Sequence, residues 1–249
     1  MKENYFLRNF RATVGKAIND FNMIEDKDRI LVAFSGGKDS LTLLDILYKR
    51  RRYVKINYDL VPLLVHNEEY QGIEKVSEFI KNNYNLELKI KYLNIKELVL
   101  SGKFKENPCY VCSKIRRKIL FDSAKEYNCN KLALGHNMDD INETLLMNII
   151  FSGTISSMKP KQELFNGKLT IIRPLCYVTE EQIRKYVKKN SLPVIDKICS
   201  YRGKSVQREV IKNFIETLYK KNKKIKKNIF SSLRNVNLKY VLGYYFSEK

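Results

Sequence analysis

A short apolar run, Arg29 to Phe34 (RILVAF), leads into Ser35-Gly36-Gly37-Lys38-Asp39-Ser40 and then into a helical pattern from about Ser40 to Lys49. A buried strand that turns on paired glycines into a helix is a unit of an α/β sheet. The turn then lies at the carboxyl end of the strand, where open parallel sheets bind ligands. Paired glycines let the backbone turn tightly and bring its N–H groups close to a phosphate, and the helix N-terminus adds partial positive charge. Lys38 supplies a point charge, Ser35 and Ser40 supply hydroxyls, and Asp39 can hold a metal ion on the phosphates. The spacing is neither that of a Walker A loop nor that of the dinucleotide fingerprint. An ordinary strand-to-helix turn also favours Gly and Ser, so the weight rests on the whole hexapeptide in its setting.

The same alternation continues along the chain. Leu60 to His66, Glu87 to Tyr92 and Lys131 to Leu134 read as strands, and Gly72 to Asn82, Cys112 to Tyr127 and Asp139 to Ile150 as helices. Strands and helices alternating at this spacing predict an α/β fold with a doubly wound parallel sheet covered on both faces. An N-terminal segment (1–27) carries Phe6, Phe10, Val14 and Ala17 at helical spacing. Residues 28–178 form the expected sheet domain, and 179–249 a basic, mainly helical extension.

Leu134-Gly135-His136-Asn137-Met138-Asp139-Asp140 is a second strand-to-helix junction. Gly135 allows close backbone approach, and Asp139 with Asp140 offers carboxylates near a phosphate chain. Asp also caps helices well, and both readings can hold together. His66, closing the second strand, is placed to face the same cleft. A histidine packed in the fold is the plainer reading for His66, while the setting of His136 leaves a packed and a functional reading level.

Charge points to a polyanion partner. The chain holds 47 Lys plus Arg against 27 Asp plus Glu, a net charge of +20, and Glu181–Lys249 alone holds 18 basic and 5 acidic residues. A basic stripe at one end is the usual footprint of nucleic acid, although a solvated lysine-rich surface gives the same count. Met1 to Phe10 carries no apolar signal region and no apolar run reaches membrane-spanning length, so a soluble cytoplasmic protein without a membrane partner is expected. The five cysteines are scattered and odd in number, which argues against a disulfide framework. Cys129 and Cys176 stand apart from the others and read as packing residues. Cys109 and Cys112 form a C-x-x-C pair ahead of Lys114, Arg116 and Arg117. That pair alone fits half a zinc site, a redox couple or two ligands of an iron–sulfur cluster. With Cys199 it makes a set of three thiols, which would leave one iron of a cubane cluster open to exogenous sulfide.

Together the SGGKDS turn, P-C-x-x-C-x-x-x-R-R and LGHNxDD resemble the tRNA 2-thiocytidine synthetases, the cytidine-32 tRNA 2-sulfurtransferases of the PP-loop N-type ATP pyrophosphatases. Met158 to Lys161, Ile172-Arg173-Pro174-Leu175, Gln207-Arg208 and Phe230 to Val236 extend the likeness from about residue 28 to about 240. The resemblance implies that Ser35, Gly36, Gly37, Lys38, Asp39 and Ser40 bind ATP phosphates, with His66, Gly135, His136 and Asp140 also lining the nucleotide site. It implies that Asp39 with Asp139 or Asp140 holds Mg2+, and that Cys109, Cys112 and Cys199 hold a 4Fe–4S cluster. Asp39, Cys109, Cys112 and Cys199 would carry the catalytic work. The substrate implied is a tRNA cytidine, adenylated at O2 and then attacked by sulfide carried on the fourth iron. A cysteine desulfurase or free sulfide would serve as sulfur donor, and homodimers are common in the resembled family. One departure stands out: many members carry C-x-x-C near the third ligand, whereas Ile195 to Ser200 contains the single Cys199.

Two rivals remain. A 2-thiouridine synthetase or another PP-loop tRNA modifier shares the loop, but the T-loop type usually carries N-terminal zinc-finger cysteines and no cysteine precedes Cys109 here. A non-catalytic RNA-binding protein retaining the ATP fold would have no need of Lys38, Asp39, Asp139 and Asp140 together.

Overall fold

The computed structural model describes residues 5–66, 72–93, 108–195 and 206–242. Helix α1 (Tyr5–Asp20) leads into β1 (Asp28–Phe34), α2 (Lys38–Arg50), β2 (Tyr58–His66), α3 (Ile73–Tyr84) and β3 (Lys89–Tyr92). After a gap in the description come α4 (Pro108–Glu126), β4 (Lys131–Ala133), α5 (Met138–Ser152), β5 (Lys161–Leu164), β6 (Leu169–Ile172) and α6 (Glu180–Lys189). Helices α7 (Val206–Lys221) and α8 (Ile225–Ser232) follow, then a 3-10 turn at Leu238–Tyr240. Packing groups the chain into two compact units, one of Met1–Asn137 with Lys159–Gly203, the other of Met138–Met158 with Lys204–Lys249. Charge and packing draw different lines: α6 falls in the basic C-terminal stretch of the sequence but packs in the first unit, while α5 groups with α7 and α8.

All described strands join one six-stranded sheet in the order β3-β2-β1-β4-β6-β5. β1 is central and buried, with Ile30, Leu31 and Val32 fully enclosed. It pairs in parallel with β2 (Val32 opposite Pro62) and with β4 (Val32 opposite Ala133). The chain lays β2 and β3 on one side of β1, then crosses back to place β4 on the other. That reversal opens a crevice beyond the carboxyl ends of β1 and β4, the ordinary ligand site of such sheets.

The parallel alternation matches the expected α/β class, and the structure adds one departure. β5 pairs antiparallel to β6 at the sheet edge, through a turn in which Phe165, Asn166 and Gly167 all have positive φ. Antiparallel edge strands on otherwise parallel sheets are common. Helix α4 also starts at Pro108 rather than Cys112, with proline in the first turn, where its missing N–H costs nothing.

The buried polar centre of the first unit is Asp45 on α2, 1% exposed. It accepts hydrogen bonds from Tyr84 Oη at 2.8 Å and from Tyr186 Oη, and pairs with Lys49 Nζ at 2.9 Å. One carboxylate thus ties α2, α3 and α6 together. Phe10 of α1 stacks on Tyr186 at 4.4 Å between ring centroids. The spacing of Phe10, Val14 and Ala17 read in the sequence is therefore the buried face of α1.

Candidate active site

Gly36 and Gly37 turn the chain from β1 into α2. Gly36 has φ +73°, in the left-handed region, and a Cβ there would meet Ile195 Cδ1 at 2.9 Å and Ile195 Cβ at 3.0 Å. The Ile195 N–H also donates to Gly36 O at 2.9 Å. The segment after α6 is thereby pinned onto the turn, and only glycine satisfies both the dihedral and the space. Ser40, 3% exposed, braces the turn from inside. Its Oγ accepts from the Ser35 N–H and the Ser35 hydroxyl, both at 3.1 Å, and donates to Gly37 O at 3.0 Å. In this structure the Ser40 hydroxyl braces the loop.

Lys38 opens α2. Its Nζ lies 2.9 Å from Asp39 Oδ2 and 3.1 Å from Glu180 Oε1. Burial acts to lower the Lys38 pKa, but the two carboxylates outweigh it and hold the pKa above the ordinary lysine value. Glu180 reaches Lys38 from the first turn of α6, which is fixed by a capping box: Thr179 Oγ1 accepts from the Gln182 N–H, and Gln182 Oε1 accepts from the Thr179 N–H. The other oxygen of Asp39 accepts from Asn137 Nδ2 at 3.2 Å.

The second junction closes against the first. A Cβ on Gly135 would lie 3.2 Å from both Asp39 C and Ser40 N, so glycine lets the loop after β4 rest on the backbone of the first turn of α2. His136 accepts at Nδ1 from Arg173 Nε at 3.3 Å, while Arg173 Nη1 donates to Lys159 O. A guanidinium always donates, so the proton of the neutral imidazole sits on Nε2. Burial first, then the nearby Arg117, pulls the Arg173 pKa down to about 10. The sequence motif at 172–175 is therefore a support for His136.

In the second unit, Asp139 and Asp140 occupy the first turn of α5. Lys226 Nζ of α8 lies 2.6 Å from Asp139 Oδ1 and also bonds Glu216. Arg208 of α7 reaches Asp140 Oδ1 at 2.9 Å and Glu143 Oε2 at 2.8 Å. Burial works against both cations, yet the carboxylates hold the pKa of each above its ordinary value. The two carboxylates named for magnesium thus hold α7 and α8 onto α5.

Cys109 and Cys112 lie three residues apart in the first turn of α4. Cys112 is half-buried, and the N-terminal end of a helix favours thiolates. Cys199 lies outside the described residues, and the structure gives His66 its place at the end of β2. Among the described residues no three His, Cys, Asp or Glu side chains gather to hold a metal. Cys129 and Cys176 are buried, as expected of packing residues, and burial pushes the Cys129 thiol up to about 11. No described helix is long and apolar enough to cross a membrane.

A glycine-rich turn with Lys38 at the switch point of a parallel sheet, closed by a second glycine loop, defines a nucleotide-binding protein of the PP-loop class. The PP-loop domain family matches residues 7–218. Among curated proteins the chain is 39% identical over 241 residues to a tRNA-cytidine(32) 2-sulfurtransferase of Geobacter metallireducens, covering 94% of this chain and 92% of that relative. It is 37% identical over 239 residues to the protein of the same name from Mannheimia succiniciproducens, covering 94% and 75%. Among solved structures, the U34-tRNA thiolase NcsA from Methanococcus maripaludis with its [4Fe-4S] cluster superposes with a TM-score of 0.75 at 26% identity, over 92% of this chain and 78% of that one. The chain belongs to the tRNA-cytidine(32) 2-sulfurtransferase family of PP-loop proteins.

Proposed function

We propose that this chain is an ATP-dependent tRNA sulfurtransferase that converts a cytidine of tRNA, at position 32, to 2-thiocytidine. The observation that carries this reading is the braced Ser35–Ser40 turn, with Gly135 seated on the first turn of α2. ATP binds with its phosphates against the backbone N–H groups of the turn and the amino terminus of α2. Lys38, held charged by Asp39 and Glu180, faces the charge that grows on departing pyrophosphate. The cytidine O2 attacks the α-phosphorus and pyrophosphate leaves, so that a poor leaving group becomes an ester oxygen. Sulfide then adds at C2 and the C2–O2 bond breaks, releasing AMP with that oxygen. His136, with its proton on Nε2, offers a neutral donor at this end of the sheet.

Magnesium would sit on the nucleotide phosphates, held by Asp39 with Asp139 or Asp140. Magnesium sites commonly need only one or two protein carboxylates besides phosphate oxygens and water. Cys109, Cys112 and Cys199 would hold a 4Fe–4S cluster, whose chemistry is to deliver the sulfide. Two facts support that ligand set. The C-x-x-C pair shares one helical turn, and Cys199 follows Ile195 by four residues, a tether of at most about 14 Å from a residue bonded to the turn. The sulfur donor is a cysteine desulfurase or free sulfide, and the protein acts in the cytoplasm.

The test is anaerobic incubation of the full chain with ATP, Mg2+, sulfide and unmodified tRNA, followed by nucleoside mass spectrometry. AMP and pyrophosphate in step with 2-thiocytidine at position 32, lost in Cys199→Ser, is the expected result. Thiolation of a uridine instead would reassign the base, and tRNA binding without AMP would leave an RNA-binding protein.

A further inference from the structure

The first unit carries a second cationic site, at the end of α2 remote from the nucleotide turn. Arg50 closes α2 twelve residues after Lys38, about 18 Å away at the helical rise. There an open groove of about 470 Å³ is lined by Arg11, Lys16, Asn19, Asp20, Arg50 and Tyr53, together with the α1 backbone at Gly15. Three cations thus face one carboxylate, and that carboxylate, Asp20, already accepts from the Tyr177 hydroxyl at 2.9 Å.

The cations are set in place rather than scattered. A Cβ on Gly15 would lie 3.1 Å from Arg50 Nη1, so glycine lets the guanidinium rest on α1. Arg50 Nη2 donates to Asn19 Oδ1 at 3.3 Å, whereas its buried Nε finds no acceptor among the described residues. Arg11 lies over the Tyr53 ring at 5.8 Å, and that ring is 56% exposed. Arg51 and Arg52 flank the neighbouring Tyr48 ring at 4.7 and 5.7 Å. Cations clustered beside the exposed Tyr53 ring suit a phosphodiester backbone, whose phosphates take the cations and whose sugars or bases lie on the ring.

We infer that this α1–α2 surface is a tRNA-backbone contact, separate from the nucleotide turn. The inference rests on the sulfurtransferase reading for its partner. Phosphate contacts of this kind set the register of the RNA and leave its sequence unread. They would hold the tRNA body while a loop nucleotide enters the cleft at the other end of α2.

The test is fluorescence anisotropy of an unmodified tRNA transcript with the full chain from 50 to 300 mM KCl. The variant Arg11→Glu/Lys16→Glu is compared with Lys125→Glu/Lys168→Glu, which makes the same charge change at exposed positions elsewhere in the first unit. Expected is at least a tenfold weaker Kd at 50 mM for the first pair. The slope of log K against log salt should be shallower by about 1.4 to 1.8, for two phosphates released. The control should stay within threefold at an unchanged slope. Circular dichroism melts check folding, and Arg11→Gln/Lys16→Gln supplies a milder pair that should shift affinity the same way. Equal losses in both Glu pairs would overturn the site in favour of general charge. Wild-type protein that binds no tRNA would overturn the sulfurtransferase reading, and this site with it.

Discussion

At the scale of single residues, the nucleotide turn depends on atoms that are absent. Gly36 combines a positive φ with a neighbour, Ile195, that fills the space of a side chain. Gly36→Ala meets both obstacles. The left-handed conformation costs a non-glycine residue about 1–2 kcal/mol, and Ile195 must move by several tenths of an ångström. Expected is a fall in melting temperature of about 2–8 °C for a chain of this size and at least a tenfold loss of ATP-dependent pyrophosphate release. Adding Ile195→Ala relieves the clash but leaves the dihedral strain, so it should recover only part of the melting temperature. Full recovery would show that the φ requirement is weaker than argued. Ser40 belongs to the same scale. Its hydroxyl is engaged on three sides by the turn, so its effect on ATP runs through the shape of the loop.

At the scale of elements, the instructive contact is the anchoring of α8 on the first turn of α5. The side chains of Lys226 and Asp139 are 5% and 9% exposed. Removing one partner of such a pair strands a buried charge, at a cost of about 3–5 kcal/mol. Lys226→Met should therefore lower the denaturant midpoint sharply, and Asp139→Asn added to it should restore much of the loss. Pyrophosphate release should stay low in the double variant, because the carboxylate proposed for magnesium is gone. Recovery of activity along with stability would make Asp139 an anchor alone. These partners lie 87 residues apart, and no local pattern joins them, which is why the sequence showed the carboxylates but not their cations. Local features were legible. The buried strands read as apolar runs and the phosphate turn as a hexapeptide. The capping box of α6 is written in Thr179 and Gln182, but its consequence, Glu180 beside Lys38, depends on how α6 packs on α2. The β5–β6 hairpin escaped because Lys161–Leu164 is short and half charged, even though Asn166-Gly167 marks its turn. The cationic site of α1 and α2 was equally hidden, since residues 11–16 and 50–53 meet only in the fold.

For the whole molecule, two electrostatic effects compete as pH rises. The chain carries a net charge of +20 at neutral pH, so losing protons relieves self-repulsion. Against this stand three tyrosines buried in the first unit. Burial, the largest cause, raises the pKa of Tyr58, Tyr84 and Tyr186, and the Asp45 carboxylate raises the last two further. A phenol raised in the folded state keeps its proton there while the unfolded chain loses its own near pH 10. Its stabilising contribution is therefore whole below pH 10 and declines above it. At pH 11 each of the three forgoes about 1.4 kcal/mol, roughly 4 kcal/mol together. Lys38 and Lys226, also raised, act with the same sign above the ordinary lysine value. Relief of repulsion is spread over the surface and screened within about 8 Å at physiological salt, so the buried groups should win. Urea denaturation at 0.15 M salt should give stability that varies little from pH 7 to 9 and falls steeply between pH 10 and 11. Tyr58→Phe should lose stability less steeply over that interval, by about 1 kcal/mol. A profile that rises through pH 11 would mean that surface repulsion, rather than the buried tyrosines, governs the stability of this fold.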